Sequence, residues 1–112
     1  METIMRTEVR SDAELQACSR PIERLFVLFY ASWCPYSRMF LPIFERFTKT
    51  HEGSCLRVQI DSEQELWEKY EIDVVPTVLF FCYGSVVARL DGVPGEGLTE
   101  VQLQEFAKSN VK

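Results

Sequence analysis

The stretch ASWCPYSRMF, residues 31–40, decides the fold, because it joins two unlike patterns at one cysteine. Before it lies LFVLFY, residues 25–30, apolar at every position, as expected of a central strand covered on both faces. After it, Phe40, Ile43, Phe44 and Phe47 recur at helical spacing, and Gly53 supplies a stop. Pro35 fits the first turn of that helix, where a missing N–H costs nothing, whereas Pro42 falls inside it and should kink it. Cys34 therefore sits at a strand-to-helix junction, at or next to the helix N-cap. Unpaired amides and the positive end of the helix dipole favour thiolate over thiol there, and the thiolate is the nucleophile. Ser37 lies one helical turn on; its hydroxyl can donate to the Cys34 sulfur but cannot attack a disulfide.

Working outward, Ser11 and Glu14 have capping-box spacing and open a first helix over about 11–19, after a short strand at Ile4 to Val9. Leu56 to Ile60 alternates as a strand ending at Asp61, and Asp61 or Ser62 can cap a short helix through Tyr70. Beyond Pro76, Thr77–Tyr83 and Val86–Leu90 form a hairpin about a glycine turn placed at Gly84-Ser85. DGVPGEG, residues 91–97, is a loop, and Thr99 with Gln102 caps a terminal amphipathic helix. Helices alternating with the first strands imply parallel crossovers, and the hairpin adds an antiparallel edge. The expected architecture is α/β, a mixed central sheet with helices on both faces.

A chain of 112 residues is the size of one domain, and 46% hydrophobic with 26% charged residues is the balance of a globular protein. A net charge of −5 argues against nucleic acid or an anionic membrane as partner. The N-terminal dozen residues have no signal-peptide core, and no apolar run approaches a membrane span, which points to the cytoplasm. Cys18, Cys34, Cys55 and Cys82 are spaced irregularly, without a disulfide framework or zinc pattern, so reduced thiols and no metal site are expected. His51, near a helix C-terminus, is read as a dipole partner rather than a ligand.

FYASWCPYSRMFLPIF (29–44), VQID (58–61), YEIDVVPTVLFFCYGSVV (70–87) and the Gly92 loop together resemble the thioredoxin family, in order and spacing, over nearly the whole chain. The resemblance implies a single thioredoxin-fold domain over residues 1–112. It also implies that Pro76 is cis beside the Cys34 sulfur and that Val75 offers backbone groups to an extended substrate. Trp33, Pro35, Val75, Pro76 and Gly92 would then border the substrate groove, with Tyr36 exposed beside the nucleophile. Three positions depart from the family pattern: Ser37 replaces the resolving cysteine, Leu28 stands where a buried acid is often kept, and Asp91 brings charge to the groove loop.

The function implied is monothiol thiol–disulfide exchange, with Cys34 forming a mixed disulfide with protein disulfides or glutathione. An external thiol or a thioredoxin-type reductase would be the electron donor, and no cofactor is bound. Cys82, about 20 Å along an extended strand from the active end, is no internal resolver. Cys55 begins the strand whose far end, Asp61, faces the active side, and Cys18, on the first helix, is at no position the family uses for chemistry. The alternatives are a redox-inactive binding or adaptor module that keeps the groove, and an engineered trapping form of a Cys-Pro-Tyr-Cys dithiol protein.

Overall fold

In the computed structural model, which describes residues 8–61 and 64–110, nine elements follow one another. They are β1 (Glu8–Val9), α1 (Asp12–Ser19), β2 (Leu25–Tyr30), α2 (Pro35–Thr50), β3 (Cys55–Gln59), α3 (Gln64–Lys69), β4 (Thr77–Cys82), β5 (Ser85–Asp91) and α4 (Glu100–Asn110). The strands form one sheet in the order β1-β3-β2-β4-β5. β1 and β2 run parallel to β3, whereas β4 is antiparallel to both β2 and β5. The chain therefore has the expected mixed sheet, with LFVLFY at its centre. Of the strand expected over 4–9, residues 4–7 lie outside the described residues, as does Ser62.

Alternation along β2 divides the core into two layers. Leu25, Val27 and Phe29 pack with Leu15 of α1, Leu66 of α3 and Tyr70. Phe26, Leu28 and Tyr30 pack with Phe40, Phe44 and Phe47 of α2 and with Leu103 and Ala107 of α4. Each face of the strand thus finds its own pair of helices, which is why no position in it is polar.

Local chemistry sets the ends of the elements. The Ser11 hydroxyl accepts the Glu14 N–H at 3.2 Å, but the Glu14 carboxylate reaches back to the Arg10 N–H rather than to its own cap residue. Thr99 and Gln102 form the reciprocal box, at 2.8 and 3.1 Å. α2 runs through Pro42 without a break and ends at Thr50, with His51 as its C-cap, ahead of Gly53 at φ 81°. The hairpin turn is Tyr83-Gly84, one residue earlier than expected, with both residues at positive φ (50° and 89°). A two-residue turn of that kind matches the twist of its strands. Phe80 pairs with Ala88 and Phe81 with Val86, leaving Val87 as a bulge in β5.

Candidate active site

The C-terminal ends of β2 and β3 and the start of β4 meet at one end of the sheet, where open α/β sheets place their ligand sites. The segment leaving β2 turns at once, the Cys34 N–H donating to the Ala31 carbonyl at 3.2 Å, and Cys34 becomes the N-cap of α2 in an extended conformation. Pro35 follows in the first helical turn. The cysteine side chain makes no capping bond to the helix. It lies across from the start of β4, where the Cys34 thiol donates to the Val75 carbonyl at 3.7 Å. The sulfur residue is 7% exposed.

The Val75–Pro76 peptide bond is cis. Thr77, fully buried, ties the neighbouring loops together: its hydroxyl donates to the Val74 carbonyl at 2.7 Å and accepts the Gly92 N–H at 3.5 Å. Gly92 is required by close approach, because a Cβ there would stand 2.4 Å from the Pro76 carbonyl oxygen. Trp33, 59% exposed, and Pro35 lie at the surface beside the sulfur. The structure thus brings Trp33, Cys34, Pro35, Val75, Pro76 and Gly92 to one place.

Tyr36 differs from expectation. It is half-buried, because residues 93–97 close into a tight loop through Val93–Gly97 backbone bonds of 3.0 and 2.8 Å, and Gly97 packs on it. A Cβ on Gly97, whose φ is +80°, would come within 3.1 Å of the Tyr36 Cβ. Ser37 differs too. It is fully buried, and its hydroxyl accepts the Ala31 N–H at 3.2 Å; among the described residues no hydrogen bond links it to the Cys34 sulfur. Asp91 brings less charge to the groove than its position suggests, since Arg89 pairs with it at 2.9 Å and also donates to the Tyr70 and Glu71 carbonyls. Leu28 is fully buried in the layer under α2.

Asp61 reaches back across the sheet end to the turn after β2. Its carboxylate accepts the Ser32 N–H at 2.8 Å, the Ser32 hydroxyl, and the Gln59 side-chain amide at 3.0 Å. Hydrogen bonds from Ser32 hold this carboxyl below the usual carboxylate range. Spacing did not reveal this contact, which joins positions 29 residues apart; the only signal was an acid at a strand end next to a polar residue before the Trp-Cys pair.

The remaining cysteines lie elsewhere. Cys55 pairs with Phe26 and Cys82 extends past Phe81, which pairs with Leu25, so both are at the opposite end of β2. Cys18 is near the end of α1, whose next residue, Arg20, abuts Gly84 of the hairpin turn at that same end. All four are free thiols. Among the described residues no group of three or more His, Cys, Asp or Glu side chains is placed to hold a metal ion. Nor is any described helix long and apolar enough to cross a membrane.

Comparison with known proteins agrees with this geometry. The thioredoxin family model matches residues 6–108. The chain belongs to the thioredoxin family. It is 30% identical over 95 residues to a thioredoxin of Mycoplasmoides gallisepticum, covering 83% of this chain and 95% of that one. It is 27% identical over 99 residues to thioredoxin-1 of Caenorhabditis elegans, covering 88% and 86%. A solved mutant thioredoxin from Halobacterium salinarum superposes with a TM-score of 0.81 over 99% of this chain and 97% of that one, at 23% identity, and so shares the thioredoxin fold. Thiol oxidoreductase chemistry is the activity of this family, and Cys34 occupies the helix start on which it would act.

Proposed function

We propose that this thioredoxin-family protein is a monothiol thiol–disulfide exchanger. The Cys34 thiolate attacks one sulfur of a protein disulfide or of a glutathione adduct. The old S–S bond breaks, its electron pair leaves on the departing thiolate, and Cys34 is held in a mixed disulfide. A second thiol, glutathione or that of a thioredoxin-type reductase, then attacks the mixed disulfide and releases Cys34 as thiolate. The cycle calls for no bound cofactor and suits a reducing compartment such as the cytoplasm. Trp33, Pro35, Val75, Pro76 and Gly92 form the groove for the substrate, and Tyr36, half-buried against Gly97, adjoins it.

One observation carries the reading: Cys34 has no thiol within reach to displace a bound substrate. Ser37 occupies the resolving position with its hydroxyl committed to Ala31, and the other three cysteines lie at the far end of the sheet or near it. The mixed disulfide therefore persists until an outside thiol arrives.

Intact-mass measurement after incubation with a glutathionylated peptide, without added thiol, should show an adduct on Cys34. Cys34→Ser should abolish both the adduct and glutathione-dependent turnover, while Cys82→Ser keeps them. Equal loss in the two variants would refute this placement of the site. Groove-dependent peptide binding with no adduct in the unmodified protein would leave an adaptor instead.

A further inference from the structure

Asp61 lies just beyond β3, outside the set of residues assigned to the exchange, and bonds the turn that carries Trp33. Its carboxylate takes both donors of one residue, the Ser32 N–H and the Ser32 hydroxyl, and so fixes the backbone of Ser32 relative to β3. Hydrogen bonds to an ionised acceptor are about twice as strong as neutral ones. The post itself is rigid. Next to it, the Ile60 N–H donates to the Tyr30 carbonyl at 2.9 Å, and the Trp67 indole donates to the Ile60 carbonyl at 2.7 Å. Gln59, whose side-chain amide donates to the carboxylate at 3.0 Å, is itself held in the sheet opposite Tyr30.

The turn has few other ties. The Ala31 N–H rests on Ser37 and the Cys34 N–H on the Ala31 carbonyl. Between them Trp33 is 59% exposed and makes no side-chain hydrogen bond among the described residues. Ser32, the residue before it, is the point at which this turn is tied to Asp61.

We propose that Asp61 is a positioning residue for the exchange reaction, acting through Ser32 to fix Trp33 and the groove wall against which a disulfide-bearing peptide is laid beside Cys34. This rests on the monothiol reading for its chemistry, but the geometric part can be tested without it. A small disulfide reaches the sulfur without using the wall; a peptide needs the wall to be oriented, and misplacement of a binding surface lowers the efficiency of the oriented reaction.

The experiment compares the unmodified full chain with Asp61→Ala and Asp61→Asn, using a glutathionylated peptide and, separately, hydroxyethyl disulfide, each with glutathione. For Asp61→Ala we expect KM for the peptide to rise about fivefold or more with kcat within about twofold, and the small disulfide to be turned over as before. Asp61→Asn, which can still accept from Ser32, should restore most of the peptide KM. Hydrogen exchange should show the Ser32 amide protected in the unmodified protein and in Asp61→Asn, but not in Asp61→Ala. An unchanged peptide KM in folded Asp61→Ala, or equal losses on both substrates, would overturn the proposal. So would a Ser32 amide that stays protected in that variant. If Asp61→Ala does not fold, Ser32→Ala replaces it: losing the hydroxyl alone should raise the peptide KM about twofold, and no rise counts against the proposal. If the unmodified protein turns over neither substrate, the monothiol reading fails, and amide protection still decides the role of Asp61.

Discussion

Ser37 has a structural task that its place in the motif conceals. Position 37 is one helical turn after Cys34, the spacing at which a side chain can meet the sulfur. The hydroxyl instead bends back to the Ala31 N–H, at the point where the chain leaves β2. Both residues are fully buried, so that amide has no water to turn to. Ser37→Ala should therefore destabilise the protein by about 1–3 kcal/mol, read by urea unfolding, because it strands a buried donor. Ser37→Cys should be milder in stability, since sulfur accepts weakly. The reactive position was legible in the sequence because the cysteine lies at a change of period from strand to helix. The work of the serine was not, because its partner is defined by the turn and not by a repeat.

At the scale of elements, the site is an agreement among loops that approach from three directions. The turn between β2 and α2 supplies Cys34, the segment leading into β4 supplies Val75 and Pro76, and the segment after β5 supplies Gly92. Gly92 is where two of them touch: a side chain there would collide with the Pro76 carbonyl. Gly92→Ala should cost about 1–3 kcal/mol through forced displacement, with peptide turnover falling more than stability explains. Paired urea titration and exchange kinetics would check this; unchanged turnover would show that the loops do not need to meet so closely.

The order of strands and helices, the two caps and the central strand were all readable from periodicity and capping residues. Tyr36 is less exposed than its own neighbourhood implies, because residues 93–97, far along the chain, fold onto it. The hairpin turn moved by one residue because Tyr83 adopts positive φ, a conformation that sequence assigns more readily to glycine.

Across the whole molecule the four thiols are separated by environment as well as by distance. Burial pushes the Cys55 thiol up to about 11, against a partly offsetting hydrogen bond from Thr48. The unfolded chain gives up that proton first, near the ordinary thiol value of about 8.5. The sign is then fixed: the contribution is intact below that pH and is lost as pH rises through the folded value near 11. Unfolding free energy should decline over that alkaline window, and Cys55→Ala should remove this part of the slope. At pH 8 iodoacetamide should reach Cys55 last of the four, by peptide mapping, unless urea is added.

Val87 has a bearing on how copies of this protein meet each other. β5 is the outer strand of the sheet and carries exposed Val86 and Val87 with Tyr83 at its turn, the composition that invites another chain to pair alongside. The extra residue interrupts the regular row of backbone donors and acceptors and adds local twist, so an approaching strand cannot stay in step along it. The same bulge that looks like an irregularity in the hairpin thus acts as a guard against edge-to-edge aggregation, at the end of the sheet farthest from the reactive sulfur.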